Sequence, residues 1–335
     1  MKDLIRELVA AYGPSGFEDE VRAIILRHAR PWADEVKTDT MGNLYVRKRG
    51  DGSGRRIMLA AHMDEIGLIV THREENGLLR FAAVGYVTPK ILLGGRVRFA
   101  NGALGVVSHD GGIRAELMDG ELPEIGRWYI DVGEAECGVG EVAAFVRPYD
   151  EMGSRIVGGG LDDRVGCAVL VEVLRRLKSS PHDLTFTFTV QEEFGTRGAG
   201  VAAFELEPDI GLAIDLTATG DTPRPATRLA ARLGGGPAIK VADSGMIAHP
   251  RLREALVQTA RQHDIPYQLE VFPHGYTDAA AIQTVRGGVI AGGVLIPCRY
   301  LHTHSEMVAE ADIEHAVQLL VAFLGQPWPP DGREA

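Results

Sequence analysis

Leu184-Thr185-Phe186-Thr187-Phe188-Thr189-Val190-Gln191-Glu192-Glu193 is the stretch whose reading decides the fold. Phe and Thr alternate, and in an extended chain residues two apart share a face. Aromatic and β-branched side chains also favour strands, so 184–191 reads as a strand with two acids at its end. Adjacent carboxylates repel each other unless a cation or a proton intervenes. Neighbouring side chains leave a strand on opposite sides, so one acid can ligate a metal while the other reaches a bound water. A general base must lie within hydrogen-bond reach of that water and stay free of the metal. The alternative is a solvated acidic turn.

On either side of this strand, helical and extended runs alternate. Leu4, Ile5, Leu8 and Val9 recur at helical spacing until Gly13-Pro14 stops the run. Ser15 and Glu18 have the spacing of a capping box for a second helix through Val21, Ile24, Ile25 and His28. A short strand, Leu44-Tyr-Val-Arg, precedes the apolar strand Ile57-Met-Leu-Ala-Ala, which runs into His62. After Gly158-Gly-Gly, helical periodicity covers 163–177. Helices over 251–263, 277–285 and 311–324 then alternate with strands over 268–272 and 288–295. This alternation predicts an α/β fold, a mostly parallel sheet sandwiched by helices.

The segment 68–157 reads differently. Short alternating runs such as Leu78-Leu-Arg-Phe, Arg96-Val-Arg-Phe, Leu104-Gly-Val-Val and Val142-Ala-Ala-Phe-Val are separated by Gly, Asn and Asp. No helix of ordinary length is visible there, so a small all-β barrel or sandwich is expected. The expected organisation is one α/β domain made of 1–67 plus 158–335, interrupted by an inserted β domain over 68–157. The Gly- and Pro-rich stretch 217–237 follows the Asp215 strand, where α/β proteins place binding residues; a linker is the alternative. Gln326-Pro-Trp-Pro-Pro reads as a surface extension.

Composition excludes several classes. A net charge of −11 favours neither nucleic acid nor an anionic membrane surface. The N-terminal residues are too polar for the core of a secretory signal, and no run approaches a membrane span. Cys137, Cys167 and Cys298 are few, odd in number and widely spaced, which argues for reduced thiols and a cytoplasmic protein.

Four further segments end in metal-binding residue types: His62-Met-Asp64, Leu161-Asp162-Asp163-Arg164, Ile214-Asp215 and Arg299-Tyr-Leu-His302. Carboxylates mixed with imidazoles, without cysteine, suit one or two divalent ions such as zinc, manganese or cobalt. Such a site lowers the pKa of a bound water, which is what hydrolysis requires. Asp64 is placed to accept the second ring proton of His62 and fix its tautomer. Asp162 is assigned to the metal and Asp163-Arg164 to the start of the helix, where an acid complements the dipole. Asp215 ends an apolar run, where a carboxylate is costly unless paired or metal-bound. Thr277 or Asp278 reads as a helix cap. Of the two histidines near the C-terminus, His302 follows the strand first and is preferred to His304.

With these residues in view, the chain resembles the glutamyl-aminopeptidase and tetrahedral-aminopeptidase family of di-metal aminopeptidases, some members of which are named endoglucanases. The motifs are His62-Met-Asp64-Glu-Ile-Gly, Leu161-Asp162-Asp163-Arg164-Val-Gly, Val190-Gln-Glu192-Glu193-Phe-Gly, Ala213-Ile-Asp215, Thr277-Asp278-Ala and Arg299-Tyr-Leu-His302. They occur in the family's order along nearly the whole chain. The resemblance implies a di-zinc exopeptidase-like fold and an inserted domain that mediates dimerisation. It implies two divalent ions per subunit, zinc or cobalt, with manganese also compatible. Asp162 would bridge them, His62 and Asp215 would complete one site, and Glu193 and His302 the other. Glu192 would be the general base and Asp64 the partner of His62. Short peptides with a free N-terminus would be the substrates, and the assembly a homo-oligomer, dimer or dodecamer. Members often carry Ser-Pro after the last ligand; this chain has Thr303-His304.

Three rival readings remain at this stage. A deacylase or carboxypeptidase on the same fold would use the same metals on blocked substrates. A glycosidase needs two carboxyl groups facing each other across about 5–9.5 Å, which adjacent Glu192 and Glu193 do not suggest. An inactive metal-binding scaffold would have no use for a spare base beside its ligands.

Overall fold

The computed structural model describes residues 1–111, 122–225 and 227–329. Helices α1 (Lys2–Ala10) and α2 (Asp19–Ala29) lead into strands β1 (Glu35–Thr38), β2 (Leu44–Lys48) and β3 (Arg56–His62). Six strands follow: β4 (Gly67–Arg73), β5 (Leu79–Val84), β6 (Arg96–Phe99), β7 (Leu104–His109), β8 (Trp128–Asp131) and β9 (Val142–Phe145). The hairpin β10 (Asp150–Met152) and β11 (Arg155–Gly158) precedes α3 (Leu161–Arg176), β12 (Asp183–Thr189), α4 (Arg197–Leu206) and β13 (Ile210–Ala218). Then come β14 (Ala238–Asp243), α5 (Pro250–Gln262), β15 (Gln268–Phe272), α6 (Asp278–Gln283), β16 (Ile290–Arg299), β17 (Glu306–Ala309) and α7 (Glu310–Leu324).

Period two places the strand side chains. Leu184, Phe186 and Phe188 of β12 and Ile57, Leu59 and Ala61 of β3 enter the main core with α3 and α7. Met58 and Ala60 of β3 point the other way, against Ala199, Ala202 and Ala203 of α4 and Ile282 of α6. The sheet is therefore covered on both faces, and the Phe/Thr alternation marks which face is greasier.

The sheet is mixed, which corrects the expectation of a mostly parallel one. Its path is β1-β2-β12-β3-β13-β16-β17-β11-β10, with β14 and β15 branching from β16. β12, β3, β13 and β16 are mutually parallel, whereas β1–β2, β2–β12, β16–β17, β17–β11 and β10–β11 are antiparallel. The reason is connection length. Parallel neighbours need a crossover, supplied here by helices, and the short links β1–β2, β10–β11 and β16–β17 permit only reversal.

β4 to β9 close into a six-stranded barrel, in the order β4-β5-β8-β7-β6-β9. Its own core includes Leu68, Val70, Phe81, Val97, Val107, Trp128 and Ile130. The β10–β11 hairpin, although inside 68–157, pairs with the large sheet. No helix among the described residues is long and apolar enough to cross a membrane.

One local expectation is overturned. The capping box at Ser15 and Glu18 does not form: α2 starts at Asp19 without a side-chain cap. Gly16, at φ +88°, turns the chain there, and Ser15 donates instead to Asp64. The segment after α7 lies at the surface as expected, with Pro327 and Pro329 exposed. Trp328 packs edge-on against Phe323, 6.4 Å between ring centres, while residue 330 lies outside the described residues.

Candidate metal centre

Because β12, β3, β13 and β16 are parallel, their C-terminal ends deliver residues to one edge of the sheet, where open α/β folds bind ligands. His62 is the last residue of β3, and Glu192 and Glu193 follow β12. Asp215 lies within β13, which continues to Ala218, and His302 follows β16. Asp162 arrives from the start of α3, where it and Asp163 have non-helical backbones and are joined by a cis peptide.

These residues meet. His62 Nε2 is 3.2 Å from Asp162 Oδ1 and 3.8 Å from Asp215 Oδ1. Asp162 Oδ2 is 3.2 Å from His302 Nε2, which is 3.3 Å from Glu193 Oε1. Two ligand groups result, His62–Asp162–Asp215 and Asp162–Glu193–His302, each with its donor atoms within 4.8 Å of one another. Asp162 belongs to both, one oxygen to each.

The Glu192-Glu193 pair diverges for a reason other than strand pleating. β12 ends at Thr189, Gln191 adopts φ +54°, and the Glu192 carbonyl accepts the N–H groups of Gly195 and Thr196. The resulting turn is held by Asp64, whose carboxylate accepts the N–H of Glu192 at 2.9 Å and of Glu193 at 3.1 Å. The second ring nitrogen of His62 lies 3.1 Å from the Asp64 backbone carbonyl and 3.5 Å from its carboxylate. The carbonyl is therefore its hydrogen-bond acceptor, and the carboxylate serves mainly the acidic turn.

Asp163 takes the helix-start role, accepting the N–H of Gly166 at 2.9 Å and of His62 at 3.2 Å. Asp278 does not cap its helix, and neither does Thr277. Buried at the start of α6, Asp278 accepts the Thr189 hydroxyl. His304 is turned away from the cluster: its Nε2 bonds the Ile91 carbonyl and its ring meets Phe145 edge-on at 5.4 Å. Tyr300 and His302 both have positive φ, so the segment is not extended and its two histidines do not share a side.

The barrel reaches the centre as well. His302 Nδ1 lies 3.2 Å from the carbonyl of Tyr86, in the loop after β5. A proton on Nδ1 donated to that carbonyl leaves Nε2 free as a ligand. Gly85 has φ +77°, and a Cβ there would fall 3.1 Å from Glu193 Oε2 and 2.7 Å from Ile66. The loop approaches the ligand this closely because residue 85 has no side chain.

The donor set fits divalent metal. Among the described residues, the ion-pair partners of Asp162, Glu193 and Asp215 are the two histidines. Burial, reinforced by Asp162, pushes Asp215 well above the usual carboxylate range, and Glu193 up to about 7. Burial, with Asp215, Asp278 and Glu193 nearby, does the same to Glu192. Burial lowers the pKa of His302, but Glu193 and Asp162 outweigh it and push it up to about 10. These shifts share one cause: excess negative charge gathered out of water. Metal cations satisfy it at the cost of displacing protons from the histidines. Among the described residues, Glu192 Oε1 is buried without a hydrogen-bond partner. Both groups open into a cavity of about 420 Å³, lined also by Lys240, Phe272, Tyr276 and Leu301.

Sequence reasoning missed Ser15 as a partner of Asp64, the Tyr86 carbonyl and Glu306, whose carboxylate bonds backbone groups of two site residues. Ser15 lies far from the site motifs in sequence and reads locally as a helix cap, and Glu306 comes only after the last motif; nothing in local spacing shows what either one meets.

The chain is similar to known proteins along nearly its whole length. A family model described as M42 glutamyl aminopeptidase matches residues 42–319. A protein of Acetivibrio thermocellus, named provisionally as an aminopeptidase, is 42% identical over 96% of this chain and 97% of its own length. The structure of aminopeptidase APDkam598 from the archaeon Desulfurococcus kamchatkensis superimposes with a TM-score of 0.90 at 38% identity, covering 96% of this chain and 94% of that one. The Pyrococcus horikoshii TET1 peptidase, which can assemble into a tetrahedron or a large octahedral shell, gives 0.84 at 29% identity, with 96% and 98% covered. The chain therefore belongs to the M42 glutamyl aminopeptidase family of metallopeptidases and is a peptide hydrolase.

Proposed function

We propose that this aminopeptidase releases the N-terminal residue of short peptides with two divalent ions, zinc or cobalt, manganese being compatible with the same ligands. Asp162 is shared, His62 and Asp215 complete one site, and Glu193 and His302 the other. The observation that carries the reading is the pairing of this shared aspartate with a neighbouring carboxylate oxygen, on Glu192, that has no partner among the described residues.

When bound, the ions supply Lewis acidity toward the scissile carbonyl and lower the pKa of a water in the cavity. Glu192 takes a proton from the attacking water and delivers it to the leaving amine nitrogen, the two halves of general base and general acid work. Asp64 holds Glu192 and Glu193 through their amides and stands beside His62. The free α-amino group of a substrate finds a carboxylate-rich site, which favours cleavage after the first residue. The α/β body, residues 1–67 plus 158–335, is the di-zinc exopeptidase-like peptidase domain. The barrel within 68–157 mediates a homo-oligomer, dimer or dodecamer; that the similar TET1 peptidase can assemble into a tetrahedron or a large octahedral shell supports an oligomer. The protein works in the cytoplasm.

The test is a panel of short peptides with free or acetylated N-termini, offered to protein stripped of metal and resupplied with zinc, cobalt or manganese. Metal-dependent release of the first residue alone, abolished by acetylation, is the expected result. Cleavage of the blocked peptides would transfer the reading to a deacylase or carboxypeptidase.

A further inference from the structure

Glu306 opens β17, is buried, and belongs to neither ligand group. Its Oε2 accepts the backbone N–H of Asp162 at 3.2 Å, and its Oε1 accepts that of His302 at 2.9 Å. Both of its oxygens are thereby engaged with amides. The topology explains the reach. β17 lies between β16 and β11 in the sheet, Glu306 sits opposite Gly158, and Asp162 and His302 follow those two neighbouring strands.

Neither amide is held by regular structure. Asp162 has φ −78° and ψ 111°, outside the helical region, and His302 has φ +56°. Two buried N–H donors in irregular backbone need acceptors, and an ionised carboxylate offers two oxygens that only accept. A glutamine would offer one oxygen and set its NH₂ against an N–H. On the barrel side, Arg147, just past β9, donates to the carbonyl of Thr303 at 3.2 Å, beside the same histidine.

We propose that Glu306 is a positioning residue that sets the separation of Asp162 and His302, and so governs occupancy of the ion held by Asp162, Glu193 and His302. This rests on the two-ion reading above. Asp312 supplies the contrast. It too is a buried carboxylate accepting two amides, those of Gly234 at 2.7 Å and Gly236 at 2.8 Å, but those partners belong to neither ligand group.

The experiment measures zinc and cobalt content and affinity, by elemental analysis across a chelator-buffered series, in wild type, Glu306→Gln and Asp312→Asn. The thermal midpoint of each metal-stripped protein is recorded alongside. In Glu306→Gln the second ion is expected to bind about 10- to 100-fold more weakly, the usual effect of losing a partner behind a ligand. The first ion should change less, and the metal-free midpoint should fall no further than that of Asp312→Asn. Asp312→Asn should bind both ions as wild type does. Wild-type affinity for both ions in Glu306→Gln overturns the proposal, whereas a wild-type chain that never binds two ions overturns the two-ion reading instead. If Glu306→Gln does not accumulate folded, amide hydrogen exchange in metal-stripped wild type decides. Slow exchange at both Asp162 and His302 supports the assignment, and fast exchange at both defeats it.

Discussion

Asp64 and Glu192 are joined by a hydrogen bond of 2.9 Å, from the Glu192 amide to the Asp64 carboxylate, and the next amide, of Glu193, bonds the same group. The proposed base and the proposed ligand are thus fixed as one turn by a residue from the link between β3 and β4. Ser15 completes the arrangement by donating its hydroxyl to Asp64. Hydrogen bonds to a charged acceptor contribute roughly 1.5–3 kcal/mol each, and orphaned amides carry a desolvation cost. Asp64→Ala should therefore lower kcat/KM about 10- to 100-fold, on the scale of about 1.4 kcal/mol per factor of ten. Ser15→Ala should cost only a few-fold. Steady-state kinetics on protein of verified metal content checks both; wild-type turnover in a folded, metal-replete Asp64→Ala would remove Asp64 from the machinery.

Glu192→Gln separates base from ligand. Its Oε1 has no partner among the described residues and Glu192 lies outside both ligand groups, so the variant should keep its metal while losing turnover by about 10²- to 10⁴-fold, the range for a general acid–base group. Asp162→Asn, by contrast, should lose metal together with activity. Retention of near-normal turnover by a metal-replete Glu192→Gln would falsify the proposed base.

Lys240 lies at the wall of the same cavity but is tied behind it. Its Nζ is 3.2 Å from both Asp243 Oδ2 and Glu270 Oε2, and all three side chains are buried. Removing one partner of a buried ion pair leaves an uncompensated charge at a cost of about 3–5 kcal/mol. Lys240→Met should destabilise the fold by that order, and Lys240→Met combined with Glu270→Gln should recover part of the loss. Denaturant unfolding of the single and double variants measures the coupling. Additive losses would mean that the three groups do not act as a unit.

Asp221 anchors the irregular segment after β13 to the end of β16. Arg299 donates to its two oxygens at 2.9 and 2.7 Å and holds its carboxyl down to about 2. With the folded value below the unfolded one, the pair stabilises fully above the unfolded value near 3.8 and loses its contribution as pH falls through about 2. Partial exposure reduces the contribution to about 1–2 kcal/mol. Asp221→Asn should thus unfold more readily at pH 7 and at pH 5 by the same margin, and that margin should shrink between pH 4 and pH 2. Thermal scans at the four pH values test it, and a margin independent of pH would exclude the ion pair as its source.

Much of this protein was legible in one dimension. The Phe/Thr alternation of 184–189 correctly assigned faces, because side-chain direction in a strand depends only on parity. The β character of 68–157 followed from its short alternating runs, and five segments bearing ligand-type residues could be picked out, four at or near the end of a strand-like run and Asp162 at a helix start after Gly158-Gly-Gly. Tertiary structure alone decided the rest. That Glu306 and Asp64 each collect two amides and that His304 bonds Ile91 depend on strand register and on positive-φ turns at Gln191, Tyr300 and His302; the shared role of Asp162 and the choice of His302 were expected already from the resemblance and from chain order. Ser15 shows why: its local spacing satisfied a capping box, yet the buried carboxylate of Asp64, just past β3, was the better acceptor. The mixed sheet has the same origin, since strand direction is set by how each connection crosses the sheet. Local periodicity encodes the face a residue presents; which residue it meets there is fixed only when distant strands come into register.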